Sequence, residues 1–146
     1  MTDPHDQPTS RPATGGCECG AVRYEARGPL RDVINCHCGQ CRRIHGHFAA
    51  YAAVARADLV IVEERGLKWY RSSDDARRGF CGECGGSLFW DAPARDYVAI
   101  AAGTLTTPTG LKTAGHIFVA DKSDYYEIAD GLPRWPGFMS NPVHES

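Results

Sequence analysis

The sequence has no apolar stretch long enough to cross a membrane: a spanning helix needs about 20 consecutive apolar residues, and the longest run, Phe48 to Ala55, falls far short. Its opening segment, MTDPHDQPTSR, is polar and carries prolines. It therefore lacks the apolar centre of a secretory leader and reads as a disordered tail, which makes a cytoplasmic protein the expectation. An excess of charge of either sign is missing as well. Lys and Arg number 16 against 18 Asp and Glu, for a formal net charge of −2, and cysteine thiolates holding metal would make the chain more acidic. An acidic surface does not attract phosphate backbones, and no basic stripe with interleaved aromatics is present, so nucleic acid is not an expected partner. No internal period of the solenoid or propeller type is visible. At 146 residues the chain reads as one domain, large enough for a core but with little to spare once loose ends are set aside.

What is present is cysteine, seven in all, in three tight groups: Cys17 and Cys19 as CEC, Cys36, Cys38 and Cys41 as CHCGQC, Cys81 and Cys84 as CGEC. An odd number of clustered thiols in a chain without an export signal points to metal ligands rather than disulfides. A closed structural zinc site takes four protein ligands, whereas a reactive one takes three and leaves a position for water or substrate. Seven cysteines divide into one of each, so two zinc ions per chain are expected.

Cys17, Cys19, Cys81 and Cys84 read as the closed site. Gly16 and Gly20 flank the first pair, and Gly82, Gly85 and Gly86 surround the second, which suits a loop that must wrap a metal closely. Iron in the same four-thiolate set is also compatible with the spacing and would colour the protein red. The run Cys36, Cys38, Cys41 can fold around one ion and supply three thiolates. For its fourth ligand His37, His45, His47, His116 or no protein group remain open, and a metal-free or redox-active cysteine cluster is the competing reading. With no protein ligand in the fourth position, a zinc ion can take a substrate thiol and stabilise its thiolate at neutral pH. Arg42 and Arg43 follow this run directly, either to attract the carboxylates of a small anionic thiol or simply as solvated charge.

Between the tails the pattern is β. Ala21–Ala26 alternates apolar and charged residues; Val33–Cys36, Phe48–Val54, Leu59–Glu63, Leu67–Arg71, Arg78–Phe80, Ser87–Trp90, Tyr97–Ala101, Ile117–Val119 and Tyr125–Ile128 are further short apolar or alternating runs, most of them interrupted by Gly, Pro, Asp or Ser. Helix is expected only at Gln40–Ile44 and Arg56–Leu59. The aromatic pairs Trp69-Tyr70 and Phe89-Trp90 and the single Trp135 read as packing residues. Asp74, Asp75, Asp121 and Asp124 read as turn residues.

Taken together, the motifs Gly16-Cys17-Glu18-Cys19-Gly20-Ala21-Val22-Arg23-Tyr24, Cys36-His37-Cys38-Gly39-Gln40-Cys41-Arg42-Arg43, Tyr70-Arg71-Ser72-Ser73 and Arg78-Gly79-Phe80-Cys81-Gly82-Glu83-Cys84-Gly85-Gly86-Ser87-Leu88 make the chain resemble the glutathione-dependent formaldehyde-activating enzyme family, which includes the centromere protein V type. His116-Ile117-Phe118-Val119 and Gly131-Leu132-Pro133 extend the resemblance to about Gly137. It implies a mainly β chain with the β-tent fold of folded antiparallel sheets, occupying residues 14–137 between tails 1–13 and 138–146. It also implies a structural zinc on Cys17, Cys19, Cys81 and Cys84 and a catalytic zinc on Cys36, Cys38 and Cys41. The implied activity is that of a carbon-sulfur lyase of the S-(hydroxymethyl)glutathione synthase type. Its partners are glutathione or another small thiol, and formaldehyde or a related small aldehyde. Because thiols add to formaldehyde unaided, a non-catalytic module that binds glutathione or a protein partner is the alternative.

Overall fold

The computed structural model describes residues 11–139; most of the two expected tails, 1–10 and 140–146, lies outside the described residues. The chain is mainly β, with one short α-helix among the described residues. It divides into two compact units, one made of residues up to Arg31 with Ala52–Leu111, the other of Asp32–Tyr51 with Lys112 onward.

In the first unit, β1 (Ala13–Gly16), β2 (Arg23–Ala26) and β5 (Leu59–Glu63) form an antiparallel sheet in the order β1-β2-β5. The alternation of Val22 and Tyr24 against Arg23 and Glu25 buries the apolar partners, Val22 completely and Tyr24 to 1% exposure, as a half-buried strand requires. β6 (Leu67–Arg71), β7 (Arg77–Cys81), β8 (Ser87–Asp91) and β9 (Tyr97–Ala101) are successive antiparallel neighbours. The core is built from Ala21, Val22, Tyr24, Ala26, Leu88, Phe89, Val98 and Ile100, among others. Tyr24 meets Phe89 edge-on at 5.3 Å, an arrangement that sets a positive ring edge on a negative ring face. The Tyr24 hydroxyl, which would otherwise be a buried unpaired group, lies 2.6 Å from Thr104 Oγ1.

In the second unit, β3 (Arg31–Cys36, all but its first residue) pairs in parallel with β10 (Thr113–Ile117), with His116 opposite Asn35 and Ile117 opposite Cys36. Helix α1 (Gly39–His45) follows. β4 (Ala49–Ala55) carries the chain from this unit into the first.

Three sequence expectations shift. The run Ile117–Val119 ends as strand at Ile117, because Phe118 takes a left-handed conformation, φ 56°, and the strand extends upstream to Thr113 instead. Tyr125–Ile128 is not a strand: the Tyr126 ring packs against His47 at 4.7 Å and its carbonyl accepts from Lys122 Nζ. The Arg56–Leu59 piece is a single 3₁₀ turn, Arg56–Asp58.

Candidate metal centres

The four outer cysteines converge within the first unit. Every pair of their sulfur atoms lies within 4.8 Å, with Cys17 and Cys19 at 3.8 Å and Cys19 and Cys81 at 3.7 Å. Four sulfurs at about 2.3 Å from one zinc ion, placed tetrahedrally, stand about 3.8 Å apart, so the donor set fits the ion. Backbone amides point at these sulfurs. Val22 N–H donates to Cys17 Sγ at 3.3 Å, and Glu83 and Cys84 N–H donate to Cys81 Sγ at 3.3 and 3.4 Å, which stabilises thiolate over thiol.

The local turns follow from the glycines. Gly85 takes φ +82° while its N–H closes on Cys81 O at 2.7 Å, a conformation that side chains resist. Gly66, which the sequence shows only as a residue between two strands, matters for space: a Cβ on it would stand 2.7 Å from Cys81 Sγ and 2.8 Å from the Ala21 Cβ. Its N–H donates to Ala21 O and its carbonyl accepts from Gly82 N–H, so Gly66 ties the two halves of the cluster together.

Without a cation the four sulfurs do not ionise evenly. The Gly86 N–H, followed by that of Cys19, holds Cys84 at about 6. At Cys19 the Ala21 N–H favours the thiolate, but desolvation and the adjoining thiols outweigh it and push the group up to about 12. A divalent ion removes this conflict.

The middle trio lies in the second unit, again with all sulfurs within 4.8 Å of one another. No further Cys, His, Asp or Glu among the described residues joins the trio within that distance. Cys36 ends β3, and Cys38 is the N-cap of α1, its sulfur accepting from Cys41 N–H at 3.3 Å. A sulfur here does what a Ser or Asp oxygen does at ordinary helix starts. Cys41 then follows on the first turn, 2% exposed, beside Cys36 at 8%. The charge is again uneven: contact with Cys38 and Cys41 pushes Cys36 well above the ordinary thiol range, and the same contacts hold Cys38 well below it. Crowded sulfurs that oppose one another's ionisation are a donor set that a cation would relieve.

The histidines proposed as fourth ligands have other partners. His37 Nε2 lies 2.9 Å from His116 Nδ1, His45 Nε2 lies 3.1 Å from the Tyr51 hydroxyl and His47 Nδ1 lies 2.8 Å from the Tyr125 hydroxyl. Burial, then the charges of His116, His47 and Lys122, lowers His37 to about 4, so it is neutral near pH 7. Arg42, on the first turn of α1, has its Nε–H sealed from solvent with no acceptor. Asp130, which no sequence motif marked, lies 2.7 Å from His116 Nε2. Of the aromatic residues read as packing, Trp69 stacks near Phe89 and carries the Arg77 guanidinium 3.8 Å above its ring, whereas Tyr70 is 56% exposed.

Residues 12–121 match the model of a protein family described as glutathione-dependent formaldehyde-activating enzyme. Among solved structures, the chain is similar to a Rhodobacter sphaeroides protein whose crystal structure was determined as a structural genomics target. The two share 26% sequence identity at a TM-score of 0.56, over 68% of this chain and 97% of the other. No helix among the described residues is long and apolar enough to cross a membrane.

Proposed function

Because the chain belongs to the glutathione-dependent formaldehyde-activating enzyme family, we propose that it binds a small thiol of the glutathione type at a zinc ion held by Cys36, Cys38 and Cys41. A second zinc on Cys17, Cys19, Cys81 and Cys84 has a structural role. The observation that carries this reading is the contrast in ligand number, four converging sulfurs in one cluster and three in the other. When bound at the trio, zinc supplies stabilisation of a substrate thiolate near neutral pH. Cys36, Cys38 and Cys41 fix where that thiolate sits, and the guanidinium of Arg42, the residue after Cys41, is a group suited to a carboxylate of the same molecule. The domain covers residues 14–137 in a β-tent arrangement, and a reducing, cytoplasmic setting suits its seven free thiols.

A second reading adds chemistry to binding, and the family description favours it. The glutathione thiolate forms a carbon-sulfur bond to the carbonyl carbon of formaldehyde or a related small aldehyde. The carbonyl π pair moves to oxygen, which takes a proton to give S-(hydroxymethyl)glutathione; reversal is the lyase direction. Since this addition runs unaided, binding and catalysis are separated only by rate.

The test is zinc content together with glutathione titration of the zinc-loaded wild type and of Cys38→Ala. Two zinc ions per chain, with glutathione binding lost in a folded Cys38→Ala, is the expected result. One zinc per chain, or unchanged binding in the variant, overturns the proposal. Exchange NMR on the equilibrating glutathione and formaldehyde mixture then decides the second reading: faster exchange with wild type only makes the protein a catalyst, and equal exchange leaves it a binding module.

A further inference from the structure

The second unit buries a hydrogen-bonded chain that neither the family description nor the metal donor set accounts for. Asp130 Oδ2 lies 2.7 Å from His116 Nε2, and His116 Nδ1 lies 2.9 Å from His37 Nε2. His116 is fully buried and His37 is 2% exposed, while Asp130 sits at the surface with its other oxygen accepting from Leu132 N–H at 3.0 Å. An ionised carboxylate only accepts, so His116 presents its N–H at Nε2 to Asp130. Its Nδ1 is then left to accept the Nε2–H of His37.

The position of His37 gives this chain its meaning. It stands between Cys36 and Cys38, and its N–H donates to Ile117 O at 3.0 Å, continuing the β3–β10 ladder past the end of the strand. Side chains alternate along extended backbone. His116, opposite Asn35 in the parallel ladder, therefore shares a face with Asn35 and His37, and Cys36 and Cys38 share the opposite one. Holding the ring of His37 fixes the pleat whose other side carries two of the three sulfurs. The backbone of β10 is itself clamped, His116 N–H to Pro133 O and Trp135 N–H to His116 O, both at 2.9 Å.

We infer that Asp130 and His116 are positioning residues for the cysteine trio, acting through His37 to preset the Cys36 and Cys38 sulfurs for an ion. The inference rests on the metal reading of the trio. Such orientation matters more here than in the four-cysteine cluster, because all three ligands come from one short run and no second segment contributes a sulfur. Hydrogen-bonded groups behind a ligand set typically change metal affinity ten- to a hundredfold.

The experiment compares Asp130→Asn, which keeps a carbonyl acceptor for His116, with Asp130→Leu, which keeps the shape and has none. Each protein is loaded with zinc and titrated with a chromophoric chelator, so that the two ions are released separately. Cobalt is then placed at the weaker site for its thiolate charge-transfer spectrum, with circular dichroism as the check on folding. The expected result is a ten- to hundredfold weaker second ion in Asp130→Leu, with an altered cobalt spectrum. The first ion should be unchanged, and affinity in Asp130→Asn should lie within a few-fold of wild type. Equal second-site affinity and equal spectra in the two variants overturn the inference while leaving the metal reading intact. A wild type that takes up one ion overturns the metal reading, and the inference with it.

Discussion

Cys17 and Cys19 reach Cys81 and Cys84 across 62 positions of sequence between the closest pair, whereas Cys36, Cys38 and Cys41 come from one run that turns from strand into helix. Exposure runs opposite to what a division into inner structural and outer reactive sites suggests. In the first cluster Cys19 and Cys84 are exposed and only Cys81 is fully buried; in the second Cys36 and Cys41 are buried and Cys38 is half-buried. What separates the clusters is therefore connectivity rather than depth. An ion in the first closes a long loop between two elements, so its binding free energy becomes folding free energy. On the proposed reading an ion in the second bridges residues that the turn already holds together, so its binding would leave the fold nearly as it was.

The sharpest way to break that comparison is to remove one sulfur from each cluster. Cys81→Ser should unfold the protein, because a structural zinc contributes on the order of 10 kcal/mol, comparable with the whole stability of a domain. Cys38→Ala should remain folded, lose one ion, and shift the thermal midpoint by only a few degrees. Circular dichroism with metal analysis on both variants checks the pair. A folded Cys81→Ser, or an unfolded Cys38→Ala, would reverse the assignment of roles.

A milder test leaves every ligand in place and crowds one of them. Gly66→Ala puts a methyl group 2.7 Å from Cys81 Sγ, with the Ala21 Cβ blocking retreat at 2.8 Å. Overpacking of this kind costs about 1–3 kcal/mol. The first ion should become easier to chelate by at least tenfold while the second is released as in wild type. Equal release of both ions from variant and wild type would show that the loop relaxes away from the metal.

The two sulfur clusters were legible because their chemistry is local: CxC and CxxC need no knowledge of the fold to be read as candidate sulfur donors. Strands whose pattern alternates or is continuously apolar were legible too, Leu59–Glu63, Leu67–Arg71 and Tyr97–Ala101 to the residue. β1, with the sequence ATGG, carries no pattern of its own and is a strand only because β2 offers it a partner. The contacts that support the sites were the least visible. His116 lies 79 residues from His37, and Asp130 sits in a loop whose sequence reads only as a turn. Gly66 owes its importance to a sulfur that comes near it only in the folded state. Side chains that work through distant partners leave no spacing to read.

The smallest effect concerns what holds the first cluster's hairpin at its far end. Arg77 lies opposite Asp91 in the β7–β8 ladder. Its Nε is 2.9 Å from one carboxylate oxygen of Asp91, and Arg56 is 2.7 Å from the other. Burial alone would raise the Asp91 pKa, but hydrogen bonds from Arg56 and Arg77 outweigh it and hold the group below the usual carboxylate range. Both arginines are partly solvated, at 38% and 44% exposure, so solvent screening reduces the worth of the pair, and Asp91→Asn should cost about 1–2 kcal/mol. A carboxylate with a depressed pKa in the folded state stabilises fully above its unfolded pKa, about 3.9, and loses that contribution as pH falls through the folded value. The stability difference between wild type and Asp91→Asn in urea should therefore be constant from about pH 5 upward and shrink below about pH 4. Acid release of metal affects both proteins alike and cancels in that difference. A difference that stayed constant into acid would mean that Asp91 acts through packing rather than charge, and the hairpin would then owe its closure to the sulfur end alone.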